Sequence, residues 1–211
     1  MIELVVFDLD GVLVDACEWH KSALNYALKK VSNYEISAKD HQNIFNGIPT
    51  RVKLKKLTDM GHISEQDHKQ INDIKQLKTM EIINSQASVR QEKIDLIKWL
   101  LDQSIQVACY TNSIRMTAHA MLKKTGILDL FDLVITNQDV EHPKPHPQGY
   151  IKILKHFDSK KNHTLIIEDS PKGVAAAKSS GCRLIQVSNP DEVNIQLLKE
   201  YINENFNSHG R

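Results

Sequence analysis

Three carboxylates crowd the end of one short apolar run near the start of the chain. The stretch VVFDLDGVLVD carries Asp8, Asp10 and Asp15 among apolar residues. A carboxylate that is buried without a partner costs free energy, so a chain has little reason to place several of them here without a chemical use. Neighbouring carboxylates repel each other, which separates their pKa values and lets two of them hold opposite protonation states. Asp8 and Asp10 are therefore the first candidates for catalysis.

Short apolar runs alternate with longer helical patterns through most of the chain. The runs are residues 2–7, 105–110, 133–135, 164–167 and 184–187. Such continuous runs are typical of strands that are covered on both faces, and their alternation with helices predicts an α/β fold with a parallel five-stranded sheet. In open sheets of this kind, ligands bind at the carboxyl ends of the strands. The residues that follow each run are therefore the candidates for function.

Acids, hydroxyls and one ammonium group follow these predicted strands. They are Asp8 and Asp10 after the first run, Thr111, Asn112 and Ser113 after the second, Lys144 after the third, and Glu168 and Asp169 after the fourth. Because the carboxyl ends of parallel strands share one edge of the sheet, we expect these residues to form one site.

The oxygen atoms at this edge predict a magnesium site. Asp8, Asp169 and the backbone carbonyl of Asp10 offer the oxygen ligands that Mg²⁺ prefers, with waters completing the octahedron. Glu168 is assigned to the same site, acting beside the ion or through a water molecule.

The remaining strand-end residues are suited to an anionic group such as a phosphoryl group. Thr111 and Lys144 are placed to hold its oxygens, because an ammonium group neutralises the charge that builds during transfer. The amides of Asn112 and Ser113, at the start of a predicted helix, add an end that binds anions. Asp10 is the candidate general acid and base.

Residues 16–85 interrupt the alternation of strands and helices. Helical patterns cover residues 17–31, 49–60 and 65–83, and in the last of these Ile71, Ile74 and Leu77 are predicted to share one face. An all-helical insert between the first strand and the rest of the sheet is the simplest explanation. We therefore expect a catalytic core of residues 1–15 and 86–211 and a helical domain of residues 16–85.

Composition excludes several classes of protein. The 211 residues carry a net charge of +1, which is no electrostatic footprint for nucleic acid or a membrane surface. No apolar run approaches the ~18 residues of a membrane span. The three cysteines are far apart, so we expect reduced thiols and a cytoplasmic protein. A cleaved leader is not expected, because its removal would take Asp8 with it.

The motifs occur in an order that is typical of one family. They are DLDG at residues 8–11, Thr111 at a strand end, KPHP at residues 144–147, and EDS at residues 168–170 followed by GVAAA. This order resembles the haloacid dehalogenase superfamily, in the branch with a helical cap inserted after the first motif. The resemblance covers nearly the whole chain and implies a Rossmann-like core. It also implies a Mg²⁺-dependent phosphomonoester hydrolase that acts on a small phosphorylated metabolite and forms an aspartyl-phosphate on Asp8.

The resemblance extends more weakly into the helical insert. The stretch NGIPTR, residues 46–51, is similar to the cap loop that faces the substrate in relatives, so Arg51 is a candidate for binding a second anionic group. His20 is a second candidate for substrate binding. Relatives often have a Pro-Gly turn where the cap returns to the core, and the stretch NSQASVRQE has neither residue.

Four alternative functions stay open at this point, of which a non-catalytic descendant of the family ranks low because no motif residue is missing. A sugar-phosphate mutase uses the same core, and Glu18, His20 and Arg51 are similar to residues of relatives with that activity. A haloacid dehalogenase proper needs neither magnesium nor a second acid, and the presence of Asp10 argues against it. A phospho-accepting module of the receiver type also gathers acids, Thr and Lys at strand ends, but it is much shorter and has no helical insert.

Overall fold

A computed structural model of the chain describes residues 1–206, which divide into two compact units. One unit consists of Met1–Asp15 and the described residues from Ser88 onward, and the other is Ala16–Ala87. Within the described residues, no helix has the length and apolar character that crossing a membrane would need.

The first unit contains a parallel sheet of five strands. In chain order the strands are β1 (Leu4–Phe7), β2 (Gln106–Tyr110), β3 (Leu133–Ile135), β4 (Thr164–Glu168) and β5 (Arg183–Gln186). Their order across the sheet is β3-β2-β1-β4-β5, and every neighbouring pair is parallel. The predicted α/β fold is thus confirmed, with β1 at the centre of the sheet.

The second unit consists of helices. In the first unit, a different set of helices flanks the sheet. The helices of the second unit are α1 (Cys17–Ser32), α2 (Ala38–Asp40), α3 (Thr50–Asp59) and α4 (His68–Gln86). Those of the first unit are α5 (Gln91–Asp102), α6 (Arg115–Lys124), α7 (Gln148–Phe157), α8 (Pro171–Ser180) and α9 (Ile195–Phe206).

Burial explains why the central strands read as unbroken apolar runs. All the residues of β1 and β4 are buried, since helices cover both faces of the sheet. On one face, alternate residues of the strands pack against α7 and α8, and this core includes Val6, Tyr110, Ile166, Tyr150 and Ala177.

Strand register brings the predicted site residues to one level. Phe7 of β1 is paired with Cys109 of β2 on one side and with Ile167 of β4 on the other. The next residue along the chain is Asp8, Tyr110 or Glu168, and all three lie at the carboxyl edge of the sheet. A parallel sheet with β1 in the middle thus places the first and last motifs side by side.

The start of α8 has two signals that are typical of a helix N-terminus. The Ser170 hydroxyl accepts a hydrogen bond from the Gly173 amide at 3.0 Å, and Pro171 occupies the first turn, where no amide donor is needed. The helix ends at Gly181, whose φ of 78° is left-handed and suits glycine.

The buried face of α4 differs from the predicted one. Ile71 is fully buried, but Leu77 is 74% exposed. The buried residues are Ile71, Lys75, Thr79, Ile82 and Ile83. A helix turns about 100° per residue, so two steps of three residues place Leu77 about 120° away from Ile71, whereas steps of four stay closer to its face. The predicted face was chosen from apolar residues alone, whereas the buried face of the helix also contains the polar residues Lys75 and Thr79.

This correction predicts unequal costs for two similar truncations in α4. Ile71→Ala should lower the free energy of unfolding by about 2–4 kcal/mol, because it removes a buried side chain from the core of the helical unit. Leu77→Ala, the matched control, should change it by less than about 0.5 kcal/mol. Urea unfolding of the two variants measures the difference, and equal losses would show that the assigned face is wrong.

Candidate active site

Lys144 is the centre of the polar cluster at the carboxyl edge of the sheet. Its side chain is 3% exposed, and its ammonium group donates to Asp8 Oδ1 at 2.6 Å, to the Tyr110 carbonyl at 2.7 Å and to Glu168 Oε1. Burial alone would lower the pKa of Lys144, but the carboxylates of Asp8 and Glu168 raise it well above its ordinary value. The lysine is therefore a fixed positive charge between two acids.

Asn112 holds the loop that carries this lysine. Its side-chain oxygen accepts from the Lys144 amide and its side-chain nitrogen donates to the Lys144 carbonyl, both at 3.1 Å. The side chain of the predicted substrate-binding residue thus ties the loop after β2 to the loop after β3.

Glu168 is fully buried, and both of its carboxylate oxygens accept hydrogen bonds. Oε1 accepts from Lys144 and from the Tyr150 hydroxyl at 3.0 Å, and Oε2 accepts from the Asp169 amide at 3.1 Å and from the amide and hydroxyl of Ser170, both at 3.3 Å. Gly173 is required beside it, because a Cβ atom there would lie 1.9 Å from Glu168 Oε1. The glycine of the GVAAA stretch is thus explained by the space that this carboxylate occupies.

Asp10 lies against the loop that follows β2. Its Oδ2 accepts from the hydroxyls of Ser113 at 2.9 Å and Thr111 at 3.2 Å, and Thr111 Oγ1 accepts from the Ser113 amide at 2.9 Å. Helix α6 begins at Arg115, so Asn112 and Ser113, which were predicted at the start of this helix, precede it. Thr111 and Ser113 orient Asp10 in this arrangement.

The chain turns sharply between Asp10 and the insert. Gly11 has a φ of 93°, a conformation that favours glycine, and its amide donates to the Val14 carbonyl at 2.8 Å. A Cβ atom at Gly11 would lie 2.2 Å from Asp169 Oδ2, so glycine also makes room for that carboxylate.

Asp8, Glu168 and Asp169 form an acidic cluster that could hold a metal ion. One carboxylate oxygen of each lies within 4.8 Å of the others. Burial and the charge of Glu168 raise the pKa of Asp8 well above its ordinary value, against the opposing effect of Lys144. Burial and Glu168 also raise the pKa of Asp169 to about 7. The cluster thus carries more negative charge than Lys144 alone compensates.

One atom of the cluster indicates where a cation fits. Asp169 Oδ1 is buried, and among the described residues it has no hydrogen-bond partner. A buried carboxylate oxygen without a donor is costly, and a hard divalent cation satisfies it. The donor set, which consists of oxygens alone, fits Mg²⁺ better than a thiol- or imidazole-binding metal.

The two candidate residues of the insert lie in the helical unit. His20 of α1 is half-buried, and its Nδ1 is 3.4 Å from the ammonium nitrogen of Lys75 in α4. Arg51 of α3 is exposed and lines a surface pocket of about 480 Å³, together with Lys55, Lys56, Asp59, Glu65 and His68. Glu18 is exposed and pairs with Lys21 at 3.1 Å.

Sequence reasoning missed several side chains that contact predicted site residues, among them Tyr150 and Lys75. Tyr150 binds Glu168, and Lys75 contacts His20 while being only 6% exposed. Lys75 follows Ile71 by one helical turn, so a search for polar residues on the buried face of α4 would have found it. Nothing in the spacing of Tyr150 distinguishes it from an ordinary core aromatic residue.

Comparison with known proteins identifies the family. A sequence model of the family described as haloacid dehalogenase-like hydrolase matches residues 5–187. The chain belongs to this family. The predicted resemblance and the predicted class of enzyme are confirmed.

Similar proteins cover nearly the whole chain. A phosphorylated carbohydrates phosphatase of Thermotoga maritima is 27% identical, over 87% of this chain and 84% of that protein. A putative pyrophosphatase PpaX of Caldanaerobacter subterraneus is 26% identical, over 88% of this chain and 81% of that protein. The crystal structure of a beta-phosphoglucomutase from Clostridium difficile has the same fold, with a TM-score of 0.82 and 22% identity, over 97% of this chain and 98% of that one.

Proposed function

We propose that the chain is a Mg²⁺-dependent phosphomonoester hydrolase that acts on a small phosphorylated metabolite. The single observation that carries the proposal is the bridge from the Lys144 ammonium to Asp8 and Glu168, beside an Asp169 oxygen that has no donor among residues 1–206. The substrate class is supported by the names of the relatives, which include a phosphatase of phosphorylated carbohydrates.

The proposed reaction has two steps. An oxygen of Asp8 forms a bond to phosphorus as the ester bond breaks, and Asp10 gives a proton to the departing alcohol oxygen. Asp10 then takes a proton from a water molecule, whose oxygen attacks phosphorus and breaks the bond to Asp8. Inorganic phosphate leaves, and both carboxyl groups return to their starting states.

Each remaining side chain has a part in this proposal. Thr111 and Ser113 hold the Asp10 carboxyl group in place through their hydroxyls. Lys144 fixes one oxygen of Asp8 and stabilises negative charge on the phosphoryl group. Asp8, Asp169 and the Asp10 carbonyl would hold Mg²⁺, which reduces the repulsion between the carboxylates and the anionic substrate.

The proposal includes the organisation and the location of the protein. Residues 1–15 and 86–211 act as the catalytic core, and residues 16–85 act as a cap that sets specificity, through residues such as His20 and Arg51. A cytoplasmic location is supported by the three cysteines, none of which forms a disulfide.

Magnesium dependence gives the first test. Purified protein should release phosphate from an aryl phosphate such as p-nitrophenyl phosphate when Mg²⁺ is present, and activity should fall to background with EDTA and return with excess Mg²⁺. Asp169→Asn should raise the Mg²⁺ concentration for half-maximal activity about 10- to 100-fold, because it removes a charged ligand. Asp191→Asn, which changes an exposed carboxylate, is the control. Full activity in EDTA would contradict the proposal.

A sugar-phosphate mutase is the second candidate, favoured by one contact in the helical unit. The nitrogen of the buried Lys75 is 3.4 Å from His20 Nδ1. Because an ammonium group can only donate, this contact suits a neutral imidazole whose ring proton is on Nε2. Such an imidazole can pass a proton to or from a sugar hydroxyl. Incubation with a hexose 1-phosphate, followed by ³¹P NMR, separates the functions, since a mutase forms the 6-phosphate and a hydrolase releases inorganic phosphate.

A further inference from the structure

Two buried tyrosine rings contact the ammonium group of Lys144. Tyr110 and Tyr150 are 0% and 1% exposed, and their rings meet edge to face with centroids 4.9 Å apart. The Lys144 nitrogen is 4.6 Å from the centre of the Tyr110 ring and 5.4 Å from that of Tyr150. Gly149 leaves the space for this pair, because a Cβ atom there would lie 2.2 Å from Tyr110 Cζ. The lysine is therefore enclosed by aromatic surface as well as by acids.

The two hydroxyl groups differ although the two rings are alike. Tyr150 donates to Glu168 Oε1 at 3.0 Å, and that same oxygen accepts from Lys144. The Tyr110 hydroxyl is buried but makes no hydrogen bond with any residue in the described range. Tyr150, whose hydroxyl is hydrogen-bonded, is thus the candidate for a function, and Tyr110 is its matched control.

The engaged hydroxyl completes the set of bonds around Glu168. Oε2 is already held by donors at the start of α8, namely the amides of Asp169 and Ser170 and the hydroxyl of Ser170. Without Tyr150, the described contacts would leave Oε1 with Lys144 as its only partner. The carboxyl plane could then tilt, and the lysine that it anchors would move relative to Asp8 Oδ1, which is 2.6 Å away.

We propose that Tyr150 is a positioning residue: its hydroxyl orients Glu168 and thereby holds the Lys144 ammonium group against Asp8. This inference depends on the proposed function for its kinetic consequence, but the placement of the lysine can be tested without it. A displacement of about 1 Å at a reacting group can lower the rate about 100-fold, and loss of a group that orients an active-site residue typically lowers activity about 10- to 100-fold.

The test compares Tyr150→Phe with Tyr110→Phe, since each variant keeps its ring and loses one hydroxyl. We expect Tyr150→Phe to lower kcat for aryl phosphate hydrolysis about 10-fold, with KM within about twofold of the wild type. Tyr110→Phe, whose lost hydroxyl has no hydrogen-bond partner in the described range, should lower kcat clearly less than Tyr150→Phe does. Thermal unfolding of both variants checks that the loss of activity is not a loss of folded protein.

A second measurement follows the lysine itself and needs neither substrate nor metal. In protein labelled with ¹⁵N-lysine, the slowly exchanging Nζ signal of Lys144 is assigned by its absence from Lys144→Met. Tyr150→Phe should shift or broaden this signal, and Tyr110→Phe should leave it near its wild-type position.

The possible outcomes are distinguishable. An inactive wild type would contradict the proposed function, and the NMR comparison would still decide the role of Tyr150. If the wild type is active but both variants keep wild-type kcat, or both lose it equally, the positioning role is wrong. An unchanged Nζ signal in Tyr150→Phe would overturn it as well.

Discussion

Asp8→Asn is expected to lower kcat for phosphate release by at least about 10⁴-fold while the protein stays folded. An amide cannot form the phosphoryl ester that the proposed reaction requires. Its carbonyl oxygen can still accept the hydrogen bond that Lys144 donates to Asp8 Oδ1, so the local structure should persist. The loss is therefore expected in kcat and not in folding.

Thermal unfolding of the same variant is a second measurement, independent of activity. Burial, together with the repulsion by the charges of Glu168 and Asp169, raises the pKa of Asp8, so the cluster disfavours the ionised carboxylate. Replacing Asp8 by a neutral isostere removes that repulsion, so Asp8→Asn should unfold at the same temperature as the wild type or a higher one when no metal is present. Asp191→Asn should match the wild type in both activity and unfolding. Turnover by Asp8→Asn within about 10-fold of the wild type would exclude Asp8 as the nucleophile.

The sheet could be predicted because burial on both faces leaves a direct mark on the sequence. The runs at 133–135 and 164–167 differ from the observed strands by one residue at most. The carboxyl edge follows from chain direction alone, since every strand of a parallel sheet ends there. For that reason Lys144 and Glu168 could be assigned to the same place as Asp8, although they are far away in the sequence.

The hydrogen-bond partners of the side chains within the site could not be predicted in the same way. Thr111 and Ser113 were expected to bind substrate, and in the structure their hydroxyls contact Asp10; their contact with substrate stays a prediction. Which neighbour a hydroxyl chooses depends on side-chain rotamers and distances of a few tenths of an ångström, which residue spacing does not encode. The same limit applies to Tyr150, because the role of its hydroxyl becomes visible only when the position of Glu168 is known.

Lys144→Met is expected to lower both activity and stability. It leaves Asp8 and Glu168 buried without the cation that bridges them, and breaking a buried ion pair in this way costs about 3–5 kcal/mol of the free energy of unfolding. It also removes the positive charge that stabilises the phosphoryl group during transfer, so kcat should fall about 10²- to 10³-fold. Urea unfolding in EDTA measures the first effect and aryl phosphate hydrolysis the second.

The second buried lysine of the sheet unit provides the matched control. Lys93 is 0% exposed and donates to the carbonyls of Pro190 at 2.5 Å and Val193 at 2.6 Å, with no carboxylate among these partners. Lys93→Met should destabilise the protein by about 1–3 kcal/mol, because two carbonyls lose their donor, and should leave kcat within about twofold of the wild type. A comparable loss of kcat in both lysine variants would mean that lost stability, and not lost charge at the site, explains the effect.

A double variant separates the structural and chemical roles of Lys144. In Lys144→Met combined with Glu168→Gln, one of the two stranded acids becomes neutral, so we expect recovery of about 1–2 kcal/mol relative to Lys144→Met alone. The recovery should not extend to kcat, because neither methionine nor glutamine supplies a positive charge to the phosphoryl group. Recovery of activity together with stability would show that Lys144 acts only by neutralising Glu168. Recovery of stability alone would mean that the ammonium group both compensates the buried acids and takes part in the reaction. Both roles require a fixed position, and the two hydrogen bonds between Asn112 and the Lys144 amide and carbonyl hold the loop in place.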